Sequence, residues 1–223
     1  MRYIVVDLEM HPLPNKYKSE KEICKNETIE IGAVMLDDDL KEISQFKSLI
    51  KPQYCTKIYP KYEKMTGITT EMLEEGVSFE TAFHDFMNWS LDGEEKPEII
   101  AWSENDFCQF ANEISLKRVE LSQEEKAAMT GWKDFQKEFG TIVKREYQIS
   151  LDMALLYADV SFTGHRHDAV WDSRNTAQLF RLTRDEKERS RIAERAESLF
   201  TADPLSVTLQ EMINFAGLLP QWP

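Results

Sequence analysis

The chain has 223 residues, 42% hydrophobic and 30% charged, which is enough apolar material for one sizeable core. A formal net charge of −13 excludes the broad basic surface of a protein that coats nucleic acid. Cys24, Cys55 and Cys108 are too widely spaced for a disulfide framework or a zinc pattern, and no apolar run approaches membrane-spanning length. With MRYIVV running straight into strand-like sequence, a cytoplasmic protein without a signal peptide or membrane partner is expected.

Residues 2–9 are predicted as a buried strand, broken by HPLPN because two prolines cannot continue a central strand. Residues 16–26 read as a charged surface loop. TIEIGAVMLDDD is a second strand ending in an acidic hairpin turn, and KEISQFKSLIKP is a third, with Ile43, Phe46 and Leu49 as its apolar positions. In YEKMTGITTEML, Thr70 would cap a short helix with Met72 and Leu73 on its apolar face. Ser78 opens a better helix, with Phe79, Ala82, Phe83 and Phe86 along one side.

EIIAW at 98–102 is another buried strand, and Ser103 starts the helix ENDFCQFANEISLKR. Residues 120–148 are predicted helical, SLDMALLYADV forms a short helix, and HDAVWDSRNTAQLFRLTRDEKERS forms a long one. The tail holds amphipathic turns around Ile192–Phe200 and Leu209–Phe215. Strands first and crossover helices later predict an α/β fold, a mixed sheet covered by helices.

Three segments carry acids where apolar residues are expected. Within YIVVDLEM, Asp7 and Glu9 lie at i and i+2, so they project to one face near the strand's C-terminal end. Two like charges this close disfavour each other's ionisation, and a divalent cation with hard oxygen ligands, Mg²⁺ or Mn²⁺, would relieve that. An exposed strand end with two acids is the plain alternative. Asp106 follows the strand EIIAW in the first helical turn, but Ser103 to Asp106 is also a capping-box spacing. Asp172 shares a helical face with Ala169, Thr176 and Leu179, and an inward acid needs a partner. His167, at that helix's entrance, is a plausible general base; Asp168 suits a cap, and His165 a loop.

Asp-x-Glu in a first strand, Asp in an early helix after a later strand, and His with Asp five residues on together resemble the DEDDh 3′→5′ exonucleases, the DnaQ-like group. VVDLEM, IEIGAV, MTGIT, IIAWSENDF and HDAVWDSRNTAQLF carry the resemblance in order over roughly residues 2–185. WSENDF looks like the branch containing KapD and the enhanced-RNAi exonucleases. Trp171 departs from the pattern, standing where the first Asp of the usual Asp-Asp pair is found. HPLP after Met10 replaces the usual Thr-Gly.

The resemblance implies a ribonuclease H-like mixed β-sheet flanked by helices, with residues 1–185 as the exonuclease domain. Residues 186–223 would form a C-terminal helical extension packed on the same domain. Asp7, Glu9, Asp106 and Asp172 would gather two Mg²⁺ ions, with Mn²⁺ able to substitute, and His167 would be the base. Met10 would contact the substrate, a single-stranded 3′ end, RNA slightly favoured over DNA, with 5′-mononucleotides as products. Glu30 would be structural. Lys16, Lys18 and Lys21, or Lys57, Lys61 and Lys64, could track phosphates, and Tyr54, Tyr59, Tyr62 and Met65 could stack on a base or fill the core. A non-catalytic or polymerase-associated module of the same fold is the alternative.

Overall fold

The structure, a computed structural model, describes residues 1–93 and 95–201. Strand β1 (Tyr3–Pro12) is followed by helix α1 (Lys18–Ile23), then by β2 (Asn26–Leu36) and β3 (Glu42–Leu49). Helices α2 (Pro60–Thr66), α3 (Thr70–Glu74) and α4 (Phe79–Leu91) lead to β4 (Glu98–Ala101). Then come α5 (Glu104–Lys117), α6 (Gln123–Ala128), β5 (Lys133–Asp134), α7 (Phe135–Ile142), α8 (Leu151–Ala158), α9 (Ala169–Arg184) and α10 (Glu186–Thr201). The five strands form one mixed sheet in the order β3-β2-β1-β4-β5. β1, β2 and β3 are antiparallel neighbours, whereas β4 and β5 join β1 in parallel.

Both faces of the sheet are covered, which is why β1 reads as a nearly continuous apolar run. Ile4, Val6 and Leu8 point toward Phe79, Phe83, Phe86 and Phe110 of α4 and α5. Val5 points the other way, toward Phe135, Phe139, Val170, Leu179 and Phe180. By the two-residue period, Asp7 and Glu9 share the side of Val5, the face on which α9 lies.

Several local expectations need correction. β1 does not stop before HPLPN but runs through Pro12, pairing with β2 beyond a bulge between Glu9 and Met10. Its pairing with β4 ends at Val6, so past that point β1 has a free edge, and a proline there breaks no ladder. Residues 16–26 are not simply a loop, since α1 forms there, though it buries no side chain. Thr69, not Thr70, caps α3 by accepting from the Met72 amide, and Met72 is 41% exposed while Leu73 is buried. Residues 120–148 include the two-residue strand β5. The long final helix is two helices: Asp185 leaves helical geometry (φ −82°, ψ 125°) and accepts from the Lys187 and Glu188 amides, so it ends α9 and caps α10. Ile192 and Ala196 of α10 are buried against the α7–α9 layer. The turns expected around Leu209–Phe215 lie outside the described residues.

Two buried acidic networks brace this frame. Glu27 accepts from the Gln53, Tyr54 and Cys55 amides, and Glu113 from the Thr28 amide and hydroxyl. Lys117 pairs with both, at 3.0 and 2.7 Å. On the opposite side Glu30, treated as structural from sequence, accepts from the Ala169 amide and pairs with Lys47, which also reaches Asp168.

α9 sits unusually close to the sheet because Gly32 has no side chain. A Cβ at Gly32 would lie 2.3 Å from the Ala169 carbonyl carbon and the Val170 nitrogen. Ser173 completes the contact by donating to the Gly32 carbonyl at 2.9 Å. Gly32→Ala should therefore destabilise the fold by about 3 kcal/mol or more, beyond the usual cost of an overpacked core, because the obstacle is helix backbone. Urea unfolding checks this; a change within about 0.5 kcal/mol, the ordinary scale for an unconstrained surface site, would count against the close approach.

Candidate active site

β1, β2, α5 and α9 bring the sequence-predicted acids together. Asp7 pairs across the strands with Gly32, directly under the first turn of α9. Asp172 lies one turn into that helix, and its side chain accepts from the His167 amide at 2.8 Å. The nearest ligand atoms of Glu9, His167 and Asp172 lie within 4.8 Å of one another, the one such group among the described residues. Asp106 reaches from the start of α5 to the other side of β1, accepting from the Leu8 amide at 3.2 Å. It is buried, and the cap of α5 is formed by Ser103 accepting from the Asn105 amide. The capping reading of Asp106 therefore gives way to one in which it faces β1. Asp168 is the cap of α9, accepting from the Val170 and Trp171 amides.

These carboxylates are held in an environment that resists their charge. Burial pushes Glu9 up to about 8, with Asp172 and Glu30 adding repulsion. Burial likewise lifts Asp106 and Asp172 to about 7 each, against the opposing hydrogen bonds from the Leu8 and His167 amides. Asp7 is raised well above the usual carboxylate range by burial, then by Asp106, Asp172 and Glu9. Burial lowers His167, which keeps its imidazole neutral near pH 7.

The contrast with the rest of the fold is sharp. Every other buried acid among the described residues has a basic side chain as partner: Glu27 and Glu113 in Lys117, Glu30 in Lys47, Glu125 in His84. No lysine or arginine forms an ion pair with Asp7, Glu9, Asp106 or Asp172 among the described residues. The donor set is hard oxygen plus one imidazole, which fits a small divalent cation.

A cleft of about 790 Å³ opens beside Asp7 and Asp106. Met10, Trp102 and Ser103 line it, with Lys21, Lys25, Asn105 and Asn112 on its walls. Of the lysines noted in the sequence, Lys21 is thus at the cleft, whereas Lys16, Lys18, Lys57, Lys61 and Lys64 are exposed and outside its lining. Lys25, exposed and just beyond α1, was not singled out in the sequence and joins Lys21 in the lining of the cleft. Tyr59 and Tyr62 pack on buried His11, with ring centres 4.5 and 4.9 Å away, and Tyr54 packs on Tyr17.

The match of the exonuclease family model, spanning residues 4–180, takes in Asp7, Glu9, Asp106, His167 and Asp172. The chain belongs to the exonuclease family. It is 26% identical over 202 residues to the human (Homo sapiens) protein ERI1 exoribonuclease 2, a match covering 82% of this chain and 28% of that protein. The chain thus spans little more than a quarter of that relative's length. In three dimensions it resembles a full-length 3′-exonuclease at a TM-score of 0.72 and 18% identity, covering 84% of this chain and 83% of that one. It also resembles the nuclease domain of 3′hExo, a DEDDh family member bound to rAMP, at 0.68 and 19% identity, covering 82% and 90%. The ribonuclease H-like mixed sheet and the DEDDh relationship read from the motifs both stand.

The electrostatics set a direction for stability. The folded values of about 8 for Glu9 and about 7 for Asp106 and Asp172 lie above their ordinary values of 4.5, 3.8 and 3.8. Between those limits the folded state holds more protons than the unfolded one, so stability falls as pH rises through that window. In chelator, the melting temperature should drop from pH 5 to pH 8, and Glu9→Gln should melt higher than the parent at pH 8. Scanning fluorimetry reads both; a melting temperature that climbs with pH would refute the mutual repulsion.

Proposed function

We propose that this chain is a divalent-metal-dependent 3′→5′ exonuclease that shortens single-stranded nucleic acid, RNA in preference to DNA, and releases 5′-mononucleotides. The observation that carries this reading is the convergence of four carboxylates without a lysine or arginine partner among the described residues, in a fold that pairs its other buried acids with basic side chains. Family membership supports it, and the names of the relatives, an exoribonuclease and a nuclease bound to rAMP, favour RNA.

Asp7, Glu9, Asp106 and Asp172 would hold two ions, Mg²⁺ by preference and Mn²⁺ in its place. When bound, the ions supply positive charge that acidifies the attacking water and offsets charge on the phosphate and the departing 3′-oxygen. His167, neutral and beside Glu9 and Asp172, takes the water's proton as the oxygen attacks phosphorus and the bond to the 3′-oxygen breaks. Met10 lies against the terminal nucleotide, on the floor of the cleft beside Asp7. Lys21 and Lys25 offset the repulsion between the acidic chain and a polyanion along the cleft wall.

The test is digestion of 5′-labelled single-stranded RNA and DNA with Mg²⁺, Mn²⁺ or chelator. A ladder shortening from the 3′ end, absent in chelator and blocked by a 3′-phosphate, is expected. Asp172→Asn should abolish it, and His167→Ala should slow it by about 10²- to 10⁴-fold, the usual worth of a general base. Cleavage that persists in chelator, or that starts internally on a 3′-blocked strand, would overturn the reading.

A further inference from the structure

His167 sits at the end of an irregular segment, residues 160–168, between α8 and α9. Its own backbone is left-handed, at φ 61°. L residues hold such a conformation only where the surroundings impose it. Arg166 and His167 form a turn into α9, and the chain that enters this turn is held by α9.

Two residues of α9 supply it. Asn175, buried to 1% exposure, accepts from the Thr163 amide at 3.0 Å and donates to the Thr163 carbonyl at 2.9 Å. It donates as well to the Trp171 carbonyl at 2.7 Å, so its amide is locked onto the helix. Trp171 holds the next residue. Gly164 has φ +86°, and a Cβ there would lie 2.0 Å from Trp171 Cδ2 and 2.4 Å from Cε3. The indole face is thus flush with the chain at Gly164. Arg174 lies over the same indole at 4.9 Å and is itself fixed to Glu42 and Gln45 of β3.

We propose that Trp171 and Asn175 are positioning residues that clamp the Thr163–Gly164 backbone onto α9 and so set where His167 stands relative to Glu9 and Asp172. The catalytic consequence rests on the exonuclease reading; the clamp itself does not. Asp172 then has only to receive the His167 amide, since Thr163, four residues earlier, is already anchored to Asn175, about one turn further along the same helix. Removing the indole releases Gly164, and the His167 backbone relaxes away from its left-handed conformation. Trp171 directly precedes Asp172 and Asn175 follows it by three residues, so Mg²⁺ affinity is read beside kcat to separate an effect on the loop from one on Asp172.

Trp171→Ala and Trp171→Phe, with the parent, test this by two readouts. Hydrogen exchange should show faster exchange of residues 161–168 in Trp171→Ala, with α9 beyond Asn175 unchanged. On single-stranded RNA with Mg²⁺, kcat should fall about 10- to 100-fold, the scale of a misplaced reacting group, while KM and Mg²⁺ affinity by calorimetry stay within about twofold of the parent. Trp171→Phe, which keeps a ring against Gly164, should recover most of both effects. Unchanged exchange in 161–168 overturns the clamp. Faster exchange with unchanged kcat, or a kcat loss that tracks lost Mg²⁺ affinity, overturns the positioning role. A parent inert on every strand would sink the exonuclease reading and with it the catalytic role, while exchange would still report whether Trp171 holds the loop.

Discussion

The contact between Gly32 and the first turn of α9 is the constraint on which the rest depends. Strand β1 delivers Asp7 and Glu9 to one face of the sheet simply through the two-residue period. They become part of a cluster only because α9 crosses that face closely enough for Asp172 to reach them. A side chain on Gly32 would stand where the Ala169–Val170 backbone lies. The helix end is secured by its own unpaired amides: Asp168 takes those of Val170 and Trp171, and Glu30 takes that of Ala169. Acids at a helix N-terminus are favoured by its dipole, so this docking is stabilising on its own terms. Lys47 then offsets the charge of both acids that do the docking.

Two classes of buried carboxylate result, within a few residues of each other. Glu27, Glu30 and Glu113 are buried and answered by lysines and backbone amides. Asp7, Glu9, Asp106 and Asp172 repel one another and have no lysine or arginine ion pair among the described residues, although Asp106 and Asp172 each accept from one backbone amide. A fold able to place Lys117 between two buried acids could have placed a lysine here as well. Leaving the charge uncompensated costs stability at neutral pH, which a bound cation, as proposed, would restore. The overall acidity of the chain therefore says little about its site, since the proposed polyanion would respond to the local field of the cleft, where Lys21 and Lys25 stand.

Much of this was legible in the sequence, and the boundary follows physical range. Periodicity is local, so the faces of β1, α4 and α9 could be read, including the inward turn of Asp172. Order of motifs along the chain carried the sheet type and the family. What could not be read depends on contacts made across the fold. Asp106 has the spacing of a cap, and only the Leu8 amide, 98 residues away in the chain, draws it toward β1. Lys25 and α1 were obscured because α1 buries nothing and so leaves no apolar pattern. Trp171 looked like a missing acid, and its packing on Gly164 is visible only once the loop is folded back.

The end of β1 shows why strand and site share the same residues. Antiparallel pairing with β2 continues to Pro12, but the parallel partner β4 stops at Val6, so from Asp7 onward one edge of the strand is open. The cleft lies along that edge, with Asp7 and Met10 lining it and Asp106 reaching in from α5. The register with β2 shifts between Glu9 and Met10, where Ile29 of β2 is the extra, unpaired residue. Met10 packs against the α4–α5 core with Leu8 and also lines the cleft. Pro12 fits because an edge no longer paired on both sides does not need its missing N–H. The departure from the usual Thr-Gly is thus compatible with an intact strand end, and the residues that close the sheet at this corner are the ones that open it to a ligand.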